Sequence, residues 1–164
     1  MSVKFEARMT QKAMYDFLLH HTYTHVMGIV AAVFGLVNIT LGVHQFVNGG
    51  NGSTFLVFGL LFLFGMPLML WFSAGNNIRR VPMFANPIDY ELNEDGIQIS
   101  QDDKSQLTPW AALIRVTSTR SGIILYQAKD RAIVLPRSDI GEQEAAVIEI
   151  ISTHVDSSKV KIRR

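Results

Sequence analysis

The chain has no cysteine. Disulfides, thiolate nucleophiles and cysteine-ligated metals are therefore excluded, and with them several enzyme classes. It also lacks a surplus of charge: 15 Lys and Arg against 14 Asp and Glu leave a formal net charge of +1, with no basic field of the kind that binds nucleic acid. Charge is missing most sharply from one place. Between Phe17 and Ile78 there is no Lys, Arg, Asp or Glu, a run of roughly 60 residues, where about 20 apolar residues suffice to cross a bilayer. Soluble helices keep a polar face over such lengths. A cleaved signal peptide is also a poor fit, because the apolar run starts late, carries no Ala-x-Ala-type site and is followed at once by a second one.

The run divides into spans at 24–47 and 54–73, joined by Asn48-Gly-Gly-Asn-Gly-Ser53. Lys4, Arg8 and Lys12 precede the first span, Arg79 and Arg80 follow the second, and the joining loop has no cation. The positive-inside rule then places both termini in the cytoplasm. Tyr23 and Trp71 stand near the cytoplasmic ends as interfacial anchors. Within the first span, Gly28, Ala31, Gly35, Asn38, Gly42 and Gln45 recur at steps of three and four and share one helical face. Small residues mark close helix contacts in a bilayer, and a short loop makes the second span the first partner of this face. The second span offers Asn38 no hydrogen-bonding side chain except at its ends. Asn38 is left to bond carbonyls of its own helix or backbone near Gly65-x-Pro67, to pair with Asn38 of another copy in a homo-oligomer, or to meet a different membrane protein.

Outside the spans the pattern changes. Residues 1–23 read as a short alternating strand, Val3–Ala7, and an amphipathic helix from Gln11 capped by Thr10. Residues 74–87, with Pro82 and Pro87, read as a linker. From 88 to 164 alternation dominates: Ile88/Tyr90/Leu92 and Ile97/Ile99 flank an Asp95-Gly96 turn, and a second turn falls at Gln101–Lys104. Ser105–Thr108, interrupted by Pro109, suits a sheet edge or a bulge rather than a sheet centre. Trp110–Thr119, Ile123–Ala128 and Ala132–Leu135 continue the meander. A helix is expected next, with Asp139 and Glu142 as its capping pair and Val147, Ile148, Ile151 and Val155 as its apolar stripe. The predicted fold is membrane α+β: a two-helix transmembrane hairpin followed by an antiparallel, curved, pleckstrin-homology-like (PH-like) sheet with a C-terminal helix.

The order of these parts, with Tyr90-Glu-Leu-Asn-Glu-Asp-Gly-Ile97, Trp110-Ala-Ala-Leu-Ile-Arg-Val116 and Ile133-Val-Leu-Pro-Arg137, resembles the YcxB-like family of small bacterial membrane proteins. The resemblance implies a PH-like domain anchored in the bacterial inner membrane on its cytoplasmic side. It implies no activity for any residue.

Chemistry-bearing residues are sparse. His21 and His25 are one helical turn apart, with His20 adjacent, a spacing able to present two imidazoles to a metal. No carboxylate follows in a zincin-type pattern, and histidines at a membrane edge need no metal, so neither a metal site nor a cofactor is expected. Glu91, Glu94, Asp95, Asp102 and Asp103 crowd turns, which select acids for backbone reasons. No nucleophile elbow, P-loop or dinucleotide fingerprint occurs. Arg79, Arg80, Lys104, Arg115, Arg120, Lys129, Arg131 and Arg137, with a tail of Lys159, Lys161, Arg163 and Arg164, are candidate contacts to an anionic lipid surface. The expected function is non-enzymatic: a membrane-held domain for protein or lipid-surface interaction, the bilayer and either a protein partner or a second copy being its partners. The alternative is an immunity or inhibitor protein whose hairpin neutralises a membrane-acting toxin.

Overall fold

The computed structural model describes residues 2–84 and 86–162. In chain order these form β1 (Val3–Ala7), α1 (Gln11–Thr24), α2 (Val26–Val47), α3 (Ser53–Leu60), a π-helical turn (Leu61–Gly65) and α4 (Met66–Arg80). Then come β2 (Ile88–Leu92), β3 (Gly96–Gln101), β4 (Lys104–Pro109), β5 (Arg115–Ser118), β6 (Gly122–Tyr126) and β7 (Ala132–Pro136). The chain closes with α5 (Arg137–Ile140), α6 (Glu144–His154) and β8 (Val160–Lys161). Residues up to Phe17 together with those from Asn76 onward form one compact unit, and Leu18–Gly75 forms a second.

The helical unit is a hairpin of two helices long and apolar enough to cross a membrane, Val26–Val47 and Ser53–Arg80. The second runs past the expected end at Ser73 to Arg80, through Gly75-Asn76-Asn77, since the end of the apolar run is not the end of the helix. Its π-helical turn lies directly before Met66-Pro67. Proline has no N–H to give the preceding turn, and a local π adjustment is one way a helix absorbs that loss. The first helix does not run unbroken from Gln11. Thr24 bonds back to the His20 carbonyl at 2.7 Å, and His25 takes an extended conformation (φ −93°, ψ 151°) as the N-cap of α2, so α1 and α2 meet at a corner.

The other unit contains two four-stranded sheets, ordered β1-β2-β3-β4 and β7-β6-β5-β8. The single antiparallel sheet expected from the alternation is thus two, and the second is mixed, since β8 pairs parallel to β5 through Val116↔Val160. One face of each sheet and the α6 stripe enclose a common core that includes Phe5, Tyr90, Leu92, Ile97, Leu113, Val116, Leu125, Leu135, Val147 and Ile151. Burying side chains of this size contributes about 1.5–3 kcal/mol each.

Two long-range pairings draw the N-terminus into this unit. β1 is an edge strand of the first sheet, in register with β2 from Val3↔Leu92 to Ala7↔Ile88. Thr10 caps α1 by accepting the Ala13 N–H at 3.2 Å, and Met9 and Phe17 pack against Ile124, Tyr126 and Val134 on the second face of the second sheet. Every residue of β6 is consequently buried, as an unbroken apolar strand requires.

Local corrections have identifiable causes. The first turn is carried by Asn93, whose Oδ1 accepts the Asp95 and Gly96 N–H groups at 3.0 and 3.1 Å; Gly96 instead opens β3, where a Cβ would lie 2.2 Å from the Thr108 carbonyl oxygen. Trp110–Ala112 is a 3-10 turn rather than strand, because the Trp110 indole donates to the Asn93 carbonyl at 2.9 Å and stacks on His154 with centroids 5.4 Å apart. Asp139 does not cap α6. Its carboxylate accepts the Arg8 N–H at 2.8 Å, and α6 begins at Glu144 after Gln143, which makes no side-chain cap.

Candidate interaction surfaces

Gly28, Ala31, Gly35, Asn38 and Gly42 are buried, but they do not meet one partner. Gly28 closes the corner: a Cβ there would stand 2.1 Å from the Thr22 carbonyl oxygen. Gly35 and Gly42 meet the second helix through Gly59, whose accessible backbone the sequence displays, and through Gly52 of the joining loop. A Cβ at Gly35 would lie 3.3 Å from the Gly59 carbonyl oxygen, and one at Gly59 2.9 Å from that of Gly35. Gly42 and Gly52 form the same reciprocal pair at 3.0 and 2.0 Å. From 35 to 42 and from 52 to 59 is seven residues on each helix, two turns, so the pairs recur in antiparallel register. The signal was present as Gly52 and Gly59.

Asn38 donates from Nδ2 to the Phe34 carbonyl at 2.9 Å, a bond to its own helix. Gln45 is exposed and lies beside the turn, where its backbone carbonyl accepts the Gly50 N–H at 2.8 Å. Away from the glycine seam the hairpin is apolar and bare: Ile29, Val33, Phe34, Leu36, Phe58, Leu61, Phe64 and Phe72 are all exposed. Only 6 % of the most apolar stretch of the second helix is buried.

The eight basic candidates do not converge. Arg79 and Arg80 are exposed at the end of α4, and Lys104 is exposed at the β3–β4 turn beside Asp102 and Asp103. Arg120 lies in the β5–β6 turn and Lys129 and Arg131 in the β6–β7 turn, at opposite ends of the second sheet. Two of the eight are engaged within the fold. The Arg115 guanidinium sits 4.5 Å from the Tyr126 ring centroid, and Arg137 pairs with Glu144 at 3.0 Å. Of the basic tail, Lys159 reaches the Leu113 carbonyl at 3.2 Å, Lys161 is exposed in β8, and Arg163 and Arg164 lie outside the described residues.

Burial raises the Tyr90 hydroxyl pKa to about 12. It raises that of Tyr126 too, against the opposing pull of Arg115. Exposed Asp156 is held low by hydrogen bonds from the Ser158 side chain and amide. Among the described residues no three His, Asp or Glu side chains converge on a metal position.

Sequence reasoning also missed two side chains that tie segments together. Gln101 Nε2 lies 2.8, 3.1 and 3.2 Å from the Met83, Asn86 and Pro87 carbonyl oxygens, strapping the linker to β3 beside an open groove of about 680 Å³. The Ser121 hydroxyl donates to the Asp16 carboxylate, holding α1 to the β5–β6 turn. Both join residues far apart in sequence, so no local pattern announces them.

No curated protein and no solved structure matches the chain. Residues 92–151, from the end of β2 through most of α6, match the model of a known family, that of the YcxB-like proteins.

Proposed function

We propose that this chain is a non-enzymatic integral membrane protein of the bacterial inner membrane, with both termini cytoplasmic, that presents a PH-like domain for interaction with proteins or the lipid surface. The observation that carries this reading is the inverted burial of the hairpin, whose glycines and asparagine face inward and whose large apolar side chains face outward. In water each such side chain forgoes about 1.5–3 kcal/mol of burial. Eight or more of them together forgo an amount on the order of the roughly 5–15 kcal/mol that stabilises a whole domain, whereas in lipid they cost nothing. The polar groups of the hairpin also suit a bilayer: Asn38 and Thr40 bond back to the Phe34 and Leu36 carbonyls, satisfying themselves without water.

The PH-like description rests on antiparallel strands in two packed sheets followed by a helix whose stripe enters their core. The lipid-surface part rests chiefly on Arg79 and Arg80, which end the second long helix and add about 1 kcal/mol each near an anionic leaflet. Arg115 and Arg137 are otherwise occupied and contribute to folding instead. Alkaline carbonate washing of membranes carrying the chain is the direct test. Retention in the pellet until detergent is added is expected; release by carbonate, or a folded monomer in detergent-free buffer, contradicts the reading.

A further inference from the structure

The turn between the two long helices holds two Asn-Gly steps, Asn48-Gly49 and Asn51-Gly52, held in opposite ways. Asn48 is turned back onto α2. Its Nδ2 donates to the His44 carbonyl at 2.8 Å, and the Gly49 N–H is taken by the Phe46 carbonyl at 3.2 Å. Asn51 is exposed and folded forward. Its Oδ1 accepts both the Ser53 N–H at 3.1 Å and the Ser53 hydroxyl at 2.5 Å. We propose that Asn51 is a site of spontaneous covalent modification, in which the Gly52 nitrogen closes on the Asn51 side-chain amide and residue 51 becomes aspartate or isoaspartate, while Asn48 is protected.

The reaction needs a free nitrogen, an amide carbon beside it and support for the charge that develops between them. Gly52 supplies the nitrogen: it has no side chain to shield it, and among the described residues its N–H makes no hydrogen bond. The Asx turn supplies the second condition. A side-chain oxygen bonded to the N–H two residues on lies along the intervening peptide, which keeps Cγ beside the Gly52 nitrogen and replaces a chance encounter with a held one. Ser53 supplies the third. Its two donors already point at Oδ1, the oxygen that becomes negative as the nitrogen adds to Cγ, as oxyanion donors do in acyl transfer.

The Gly52 nitrogen gives its proton to solvent and forms a bond to Cγ; the Cγ–Nδ2 bond then breaks, and Nδ2 leaves as ammonia. Water opens the resulting five-membered succinimide at either carbonyl. The sum is one water consumed and one ammonia released, with no change of oxidation state. At Asn48 the attacking and leaving nitrogens are both engaged in hydrogen bonds that must break first.

The product puts a carboxylate into a run that otherwise has no charge from Phe17 to Ile78. It stands just ahead of α3, where the helix dipole favours an anion. Isoaspartate also lengthens the main chain by one methylene next to Gly52, whose packing on Gly42 leaves no room for a Cβ. The turn thereby carries an irreversible mark of the age of the chain. This inference does not depend on the membrane reading.

The test is to age the full chain in detergent micelles at neutral pH, digest it with chymotrypsin and sequence the products by electron-transfer mass spectrometry. Cleavage after Phe46 and Phe55 leaves both asparagines in one peptide, and the fragmentation locates the amide-to-acid exchange and separates isoaspartate from aspartate. Asn51 is expected to convert at least tenfold faster than Asn48, whereas in a synthetic peptide of residues 47–55 the two differ less than threefold. Ser53→Ala, which removes only the hydroxyl donor, should slow position 51 in the folded chain at least threefold. Comparable conversion of both asparagines in the folded chain, the same ratio there as in the peptide, or a rate at position 51 unmoved by Ser53→Ala overturns the proposal.

Discussion

At the scale of single residues, the hairpin depends more on what glycine lacks than on what asparagine provides. A methyl group at Gly52 would stand 2.0 Å from the Gly42 carbonyl oxygen, a clash with backbone that no side-chain rotation relieves. Gly52→Ala is therefore expected to destabilise the hairpin by about 1–3 kcal/mol, the usual cost of overpacking. Asn38→Ala loses only a side-chain bond back to the carbonyl four residues earlier in its own helix, a near-neutral interaction. Unfolding of the two variants in mixed micelles, followed by far-ultraviolet circular dichroism, should rank them in that order; a larger loss at Asn38 would show that its main partner lies elsewhere. Tyr90 gives a pH prediction. Its folded pKa of about 12 lies above the ordinary tyrosine value of 10.0, so the folded state holds the proton more tightly. The stability this contributes is fully present below pH 10 and is lost as pH rises toward 12, on the order of 2–3 kcal/mol in all. Tyr90→Phe should flatten that part of the alkaline fall in the denaturation midpoint, Tyr126 accounting for a remainder.

At the scale of elements, β1 is the piece whose placement matters most. It supplies Val3, Phe5 and Ala7 to the core, and the Lys4–Glu91 pair at 3.0 Å lies in register across it. Residues 88–164 prepared alone lack these side chains and leave the β2 edge open, a route to aggregation. That fragment is expected to show no cooperative thermal transition, and residues 1–17 joined to 76–164 through a flexible linker should restore one. A cooperative transition in the shorter fragment would mean that β1 is dispensable. The elements legible in the sequence were those with local signatures: the alternating β2 and β3, the Asp102-Asp103 turn, the Thr10 cap and the α6 stripe. What escaped was set by distant partners. β1 was recognisable as a strand, but nothing near it names β2 across the whole hairpin. Trp110 looks like strand until Asn93 claims its indole, and Asp139 looks like a cap until Arg8 takes its carboxylate. Of the candidate surfaces, the glycine face of α2 was legible because helical periodicity displays it. The scatter of the basic residues was not, because strand ends and turns are sorted only by topology.

At the scale of the whole molecule, one chain combines a unit built by burying apolar side chains with another that exposes them. That contrast is the core of the account, and the absence of cysteine makes it directly measurable. Single cysteines introduced as Phe34→Cys, Asn51→Cys and Asp130→Cys report on a long helix, the hairpin turn and the β6–β7 turn. Labelling intact bacterial cells with a membrane-impermeant thiol reagent, before and after permeabilisation, reads all three. The account predicts labelling at position 51 in intact cells, at 130 only after permeabilisation, and at 34 only after detergent denaturation. Ready labelling at position 34 without denaturant, or the same response at 51 and 130, would contradict it.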